Sequence, residues 1–191
     1  MEYRYDLKIS EHREVYPPSE DSQLFIESLD IIQGEKVLEI GCGSGIVSMH
    51  CALNGAVVSC GDINPYAVEL TRKNAEQNGI SLDVRETDVY SAFSEKYDTI
   101  LFNLPYLPAE EDEYDGELVK SWAGGKDGMG PLPELLAHAP EHLVSGGRVV
   151  VVVSSLMDQD RLKEVIGDRT ASVLAELPLF FERLQILQIQ F

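Results

Sequence analysis

The chain has 191 residues, of which 44% are hydrophobic and 25% are charged, as expected for a soluble globular protein with one domain. Its 15 Lys and Arg face 33 Asp and Glu, and the net charge of −18 argues against nucleic acid as a direct partner. The N-terminus lacks the apolar core of a signal peptide, the longest aliphatic run (149–153) is too short for a membrane span, and the three cysteines lack metal or disulfide spacing. We therefore expect a cytoplasmic protein that neither enters a membrane nor binds a metal.

Short aliphatic runs alternate with amphipathic segments from Gly34 onward, which is typical of β-α units around a parallel sheet. The predicted strands are Lys36–Ile40, 56–60, 82–86, Tyr97–Phe102 and a Val-rich run at 149–153, followed by an antiparallel last strand at 181–189. The predicted helices are a short one that begins at Ser19, then 44–53, 65–78, 131–142 and 158–166. Gly146 and Gly147 are predicted to separate the helix at 131–142 from the fifth strand.

Two segments lie outside this alternation. Residues 1–33 form an N-terminal extension with the short helix, and residues 104–130 form a long loop that holds six acids between positions 110 and 117. A loop of this length inside a domain is either functional or disordered, and we expect it on the substrate side of the protein. Residues 1–191 are thus predicted to form a single domain.

The end of the first predicted strand and the loop after it have the pattern E-x-G-x-G-x-G, from Glu39 to Gly45. Glycines let the backbone approach a ligand closely, but Ile46 breaks the dinucleotide fingerprint G-x-G-x-x-G. An acid at this position disfavours a pyrophosphate and favours a cationic sulfonium or α-amino group. Asp62 and Asp88 end the next two strands, so three carboxylates reach the sheet edge where open α/β folds bind ligands. The set resembles the S-adenosylmethionine site of class I methyltransferases.

Asn103, Leu104, Pro105 and Tyr106 follow the fourth predicted strand. Pro105 restricts Leu104 to extended geometry, so the Asn103 side-chain oxygen and the Leu104 carbonyl become two acceptors on one rigid corner. The pair can hold both hydrogens of an NH₂ group and leave its nitrogen facing a methyl donor, while Tyr106 offers a flat face to a planar amide or base. The corner resembles the N-P-P-Y motif of amino-methyltransferases that act on glutamine amides or exocyclic base amines, with Leu104 in place of the first proline.

Three further stretches resemble the small, single-domain HemK-like branch of these enzymes. They are V-Y-P-P-S-E-D-S at 15–22, G-D-I-N-P at 61–65 and W-A-G-G-K-D-G at 122–128. The resemblance implies an α/β, Rossmann-like class I methyltransferase fold, with a doubly wound, mostly parallel seven-stranded sheet and an antiparallel last strand. It also implies S-adenosylmethionine-dependent N5-methylation of the glutamine in the Gly-Gly-Gln loop of a class 1 translation release factor.

The resemblance further implies roles for individual residues. Glu39 is expected near the methionine end of the cofactor, Asp62 on the ribose hydroxyls and Asp88 on the adenine amine. The predicted cofactor-binding set is Ser22, Glu39, Gly41, Cys42, Gly43, Gly45, Asp62, Ile63, Asp88, Val89 and Asn103, and the predicted catalytic set is Asn103, Leu104, Pro105 and Tyr106. Members of the branch work with a small zinc-binding activator subunit, whose docking surface would be an apolar edge beside the second and third strands.

Three other functions remain open from the sequence. The first is methylation of an exocyclic base amine of RNA or DNA, because the corner at 103–106 does not distinguish an amide from such an amine; the net charge of −18 argues against it. The second is methylation of a basic protein, which an acidic surface would accept. The third is a non-catalytic S-adenosylmethionine-binding or scaffold protein, which would have no need of the intact corner.

Overall fold

The computed structural model describes residues 1–104 and 126–191, and in these residues helices alternate with strands along the chain. The elements are α1 Glu20–Ser28, β1 Lys36–Ile40, α2 Ile46–Leu53, β2 Val57–Asp62, α3 Pro65–Gln77, β3 Asp83–Glu86, β4 Tyr97–Phe102, α4 Leu132–His142, β5 Leu143–Ser154, α5 Gln159–Ile166, β6 Ala171–Pro178 and β7 Arg183–Gln190. None of the described helices combines the length and apolar character that crossing a bilayer requires.

The strands form one seven-stranded sheet in the order β3-β2-β1-β4-β5-β7-β6. The five strands β3, β2, β1, β4 and β5 are parallel to one another, whereas β7 runs antiparallel to both β5 and β6. The predicted doubly wound sheet with an antiparallel last strand is confirmed. Strand order reverses between β1 and β4, which is where open α/β sheets form a crevice at the carboxyl ends of their strands.

Helices pack on both faces of the sheet, and successive residues of β4 show the two layers. Ile100 and Phe102 belong to one buried cluster, which includes leucines of α4 and α5. Leu101 points to the opposite face and joins a second cluster with residues of α1 and α2. Burial on both faces explains the unbroken valine run of β5, because neither face of this central strand contacts water.

Two details of the predicted strand pattern were wrong. Gly146 and Gly147 do not precede the fifth strand but lie within β5, which begins directly after α4 when Leu143 adopts extended geometry. The strand β6 was not predicted from the residues, because as the edge strand it leaves most of its side chains exposed and therefore lacks a buried apolar run.

Candidate functional site

A cavity of about 680 Å³ lies at the carboxyl edge of the sheet. The glycine loop after β1, the ends of β2 and β4, the loop after β3 and the segment before α1 all contribute to its wall. The predicted site residues that line it are Ser22, Glu39, Gly41, Cys42, Gly43, Asp62, Ile63, Asp88, Val89, Asn103 and Leu104. Gly45 is not among the lining residues, and Pro105 and Tyr106 lie outside the described residues, as does the acidic stretch at 110–117.

The glycine loop is held between β2 and α3. The amides of Gly41 and Cys42 both donate to the Gly61 carbonyl, at 2.8 and 3.1 Å. At Gly45 the backbone has φ of +79°, and a Cβ there would lie 2.8 Å from the Thr71 methyl carbon of α3. Gly45 therefore serves the packing of the loop against α3, which is why it does not face the cavity. Thr71 completes the contact by donating its hydroxyl to the Gly43 carbonyl at 3.0 Å.

Glu39 lines the cavity from within the sheet and is 2% exposed. Its Oε2 accepts the backbone amide of Ser48 at 2.9 Å and also the Ser48 hydroxyl, in the first turn of α2. Burial raises the pKa of the carboxyl to about 8, with a further contribution from the charge of Asp62, and the Ser48 bonds oppose the rise. A buried acid with this pKa is neutral near pH 7 until a cation arrives beside it.

Asp62 ends β2 and its carboxylate is fixed on two sides. Oδ2 accepts the Gly43 amide at 3.0 Å, and Oδ1 accepts the Asn64 amide at 2.9 Å. Asn64 in turn caps α3 by accepting the Tyr66 amide, and its side-chain nitrogen donates to the Glu14 carbonyl at 2.8 Å. The carboxylate is thus placed at the cavity by both the glycine loop and the start of α3.

The turn after β3 presents Asp88 and Val89 to the cavity. Val89 has φ of +44°, the one non-glycine residue with a positive φ in the described part of the chain. Its carbonyl accepts the Thr87 hydroxyl at 3.1 Å, and the Asp88 amide donates to the Ser91 hydroxyl at 3.0 Å. Left-handed geometry is costly for a β-branched residue, and such strain is concentrated at ligand-binding sites.

Asn103 follows β4 and lines the cavity. Its side-chain nitrogen lies 3.4 Å from Oδ2 of Asp21, whereas its Oδ1 is buried and has no hydrogen-bond partner in the part of the chain that the structure describes. Buried acceptors without a partner are rare, and this oxygen is therefore available to accept a hydrogen bond from a bound ligand. Leu104 is 2% exposed, and its side chain belongs to the main hydrophobic cluster.

The segment 15–22, which leads into the first turn of α1, contributes more to the cavity than the sequence indicated. Tyr16, Pro17, Pro18 and Asp21 all line it, although only Ser22 of this segment was predicted as a site residue. The signal was present, since the stretch at 15–22 carried the family resemblance. Its place in space could not be predicted, because it depends on contacts with residues more than 80 positions away, such as Asn103.

Comparisons with known proteins agree with this geometry. A family model described as Methyltransferase small domain matches residues 12–120. A protein of Methanocaldococcus jannaschii, named as a protein N5-glutamine methyltransferase, is 39% identical over 188 residues, which cover 95% of this chain and 94% of the relative. The ribosomal RNA small subunit methyltransferase C of Chromohalobacter salexigens is 32% identical over 144 residues, 75% of this chain but only 38% of that protein.

Among solved structures, the E. cuniculi Mtq2–Trm112 complex has the same fold, with a TM-score of 0.70 and 20% identity, over 93% of this chain and 98% of that one. It is described as responsible for methylation of the eRF1 translation termination factor. The resemblance to the HemK-like methyltransferases is confirmed. With a family model that matches more than half of its length and a relative 39% identical along nearly all of it, the chain belongs to the Methyltransferase small domain family.

Proposed function

We propose that this protein methylates the side-chain amide nitrogen of a glutamine in the Gly-Gly-Gln loop of a class 1 translation release factor. The observation that carries the proposal is the buried Oδ1 of Asn103, which has no partner among the described residues and lies at the wall of a cavity that Glu39, Asp62 and Asp88 also line. The names of the Methanocaldococcus relative and of the Mtq2 complex support the glutamine amide and the release factor as substrate.

The family uses S-adenosylmethionine, and the cavity fits this cofactor. Its volume of about 680 Å³ falls within the usual range of small-molecule sites, about 300–1,000 Å³. We assign Glu39 to the cationic methionine end, Asp62 to the ribose hydroxyls, and Asp88 with the strained Val89 to the adenine. When bound, S-adenosylmethionine supplies an electrophilic methyl group on its sulfonium, and the substrate nitrogen that receives this group gives up one proton.

In this proposal the chain's own residues act mainly by positioning. Asn103 Oδ1 and the Leu104 carbonyl accept the two hydrogens of the substrate NH₂, which fixes the plane of the amide and the direction of its nitrogen. No side chain has to remove the proton beforehand, because a planar nitrogen becomes strongly acidic once it is methylated. Orientation of this kind can supply a large part of a rate enhancement.

We expect cofactor affinity to depend on pH through Glu39. In the free protein its carboxyl is protonated below a pKa of about 8, and a bound cation favours the ionised form. Binding below this pH therefore releases a proton, and affinity should rise up to about tenfold per pH unit towards pH 8, then level off. The neighbouring thiols of Cys42 and Cys51 stay neutral, because a hydrogen bond to Cys60 raises the pKa of the first and burial that of the second.

Calorimetry in buffers with different ionisation enthalpies measures this proton release. The matched control is Glu39→Gln, which keeps an oxygen for the Ser48 bonds but cannot ionise. The free cofactor is the same in both titrations, so the difference between the two proteins reports the Glu39 carboxyl and its effect on the bound cation. Equal proton release by the wild type and by Glu39→Gln would show that this carboxyl does not meet the cation.

A base amine is the second candidate substrate, and the relative named as a ribosomal RNA methyltransferase favours it. A glutamine amide and an exocyclic base amine both present a planar NH₂ group, so the corner at Asn103 accepts either. The net charge of −18 favours the protein substrate, because an RNA enzyme needs basic surface to hold phosphates.

The deciding experiment offers labelled S-adenosylmethionine and three acceptors in parallel: a release-factor fragment with the Gly-Gly-Gln loop, RNA and duplex DNA. We expect label in the fragment alone. A second fragment, with glutamate in place of the loop glutamine, has the same shape but no NH₂ group and should stay unlabelled. Label in RNA at a comparable rate, or label in the control fragment, would contradict the glutamine assignment.

We also propose a small zinc-binding activator subunit as partner, supported by the Mtq2–Trm112 complex. The edge strand β3 offers a free backbone edge for it, since β3 pairs only with β2 in the described sheet. The described side chains at β3 include a charged group, in which Arg85 pairs with Asp83 at 2.5 Å and with Glu95 at 2.8 Å. A partner at this edge would therefore need polar side chains opposite these three. Measuring turnover with and without a co-expressed candidate subunit tests this proposal.

A further inference from the structure

We propose that Asp21 is a positioning residue that determines which atom of the Asn103 amide faces the substrate. This inference rests on the proposed function, because it concerns how the corner selects an NH₂ group. The stretch at 15–22 that resembles the family contains Asp21, but the predicted site residues did not include it. It lies on the first turn of α1, 82 positions before Asn103 in sequence, and it lines the same cavity.

The Asp21 carboxylate is buried, with 5% of the residue exposed, and its two oxygens have separate partners. Oδ1 accepts three hydrogen bonds: from the Ser19 hydroxyl at 2.6 Å, from the Ser22 amide at 2.6 Å and from the Ser22 hydroxyl at 3.2 Å. These bonds fix the carboxylate on its own helix. Oδ2 is left to face Asn103, whose side-chain nitrogen lies 3.4 Å away.

An ionised carboxylate only accepts hydrogen bonds, so it can pair with the nitrogen of a side-chain amide but not with its oxygen. If the Asn103 amide turned by half a rotation, two acceptor oxygens would meet at Asp21 and the NH₂ of Asn103 would face the substrate. In that arrangement the NH₂ group of Asn103 would face the NH₂ group of the substrate, and two donors cannot form a hydrogen bond with each other. Asp21 therefore holds Asn103 in the orientation that leaves Oδ1 available as an acceptor, without a partner among residues 1–104 and 126–191.

The same carboxylate also binds Ser22, a predicted cofactor residue that lines the cavity. The substitution Asp21→Asn removes the charge of the side chain but keeps its shape, so it separates the effect of Asp21 on Asn103 from its hydrogen bonds to Ser22. Asparagine in place of Asp21 keeps an oxygen that can accept the Ser22 amide. Its nitrogen, however, can now donate to Oδ1 of a turned Asn103, so the orientation of Asn103 is no longer enforced.

The test compares wild type, Asp21→Asn, Asn103→Ala and the double variant on the substrate that accepts label. We expect Asp21→Asn to lower kcat about tenfold, since misplaced orienting groups cost rates of this order. KM and calorimetric S-adenosylmethionine affinity should change much less. In the Asn103→Ala background the same substitution should cost almost nothing, because a residue that acts through Asn103 has nothing left to orient. The control Ser19→Ala removes one bond to Oδ1 of Asp21 without touching Asn103 and should keep kcat near the wild-type value.

A readout without turnover comes from the ¹⁵N–¹H resonances of the Asn103 side-chain amide, assigned by their absence in Asn103→Ala. These resonances should shift in Asp21→Asn and stay in place in Ser19→Ala. Additive losses in the double variant, or an unshifted Asn103 amide, would overturn the role of Asp21. Wild-type protein that labels RNA but not the release-factor fragment would instead overturn the proposed substrate, and the same four proteins would then be compared on RNA.

Discussion

Replacing Asn103 with alanine should lower methyl transfer by at least ~10²-fold, because one of the two acceptors that hold the substrate NH₂ is lost and the amine becomes free to rotate. Cofactor affinity should change much less, since Glu39, Asp62 and Asp88 and the glycine loop keep their contacts. The variant removes a buried oxygen that has no partner in the described part of the chain, but it also removes the amide nitrogen that lies 3.4 Å from Oδ2 of the buried Asp21, so we expect a modest loss of stability.

Single-turnover transfer from labelled S-adenosylmethionine to a Gly-Gly-Gln fragment measures this loss, with calorimetry for the cofactor. Asn78→Ala is a matched control, because it removes an asparagine at the end of α3 that bonds Lys8 and does not line the cavity. The control should label the fragment at the wild-type rate. Wild-type rates in Asn103→Ala itself would mean that chemistry takes place elsewhere in the protein.

The buried strands were predictable from the sequence, because a strand that is buried on both faces consists mostly of apolar residues. Lys36–Ile40 and Tyr97–Phe102 were predicted with the bounds that the structure shows. Their apolar residues alternate between two buried layers, so most of each strand is apolar, and only Lys36, Glu39, Asp98 and Thr99 interrupt the runs. The edge strand β6 (A-S-V-L-A-E-L-P) also contains apolar residues, but most of its side chains are exposed, so its sequence follows neither the two-sided nor the alternating pattern of burial.

Convergence of the site residues was also predictable, because parallel strands deliver their carboxyl ends to one edge. The interactions between those residues were not. The bond between Asp21 and Asn103 joins parts of the chain 82 positions apart, and no local pattern records it. The role of Gly45 likewise depends on Thr71 of a different helix.

Leu104, which departs from the N-P-P-Y motif, has a packing role that the sequence did not indicate. As a replacement for the first proline of the motif, it predicts that Leu104→Pro is tolerated. In the structure its side chain lies in the main hydrophobic cluster, together with Met129 and Leu132. Proline would keep the carbonyl but would remove most of this packing, so we now expect a loss of stability of about 2–5 kcal/mol, similar to other core truncations.

The second large effect is expected at Asp62. Alanine at this position should weaken S-adenosylmethionine binding by at least tenfold, because hydrogen bonds to a charged group contribute about 1.5–3 kcal/mol each and the ribose offers two hydroxyls. The same substitution leaves the Gly43 and Asn64 amides without their acceptor, so the glycine loop and the start of α3 lose a shared anchor. At saturating cofactor the transfer rate should recover much of the loss, because Asn103 and Leu104 are untouched.

Calorimetry of cofactor binding, accompanied by thermal unfolding, separates the lost ribose contact from a loosened loop. Asp168→Ala is the control for net charge, since it removes one negative charge from an exposed position that does not line the cavity. If charge alone governed affinity for a cationic ligand, both variants would weaken binding equally. We expect the control to bind like wild type, because solvent and salt screen an exposed charge that does not line the cavity. Unchanged affinity in Asp62→Ala would sink the ribose assignment, and it would leave the glycine loop and Asp88 as the groups that hold the nucleoside.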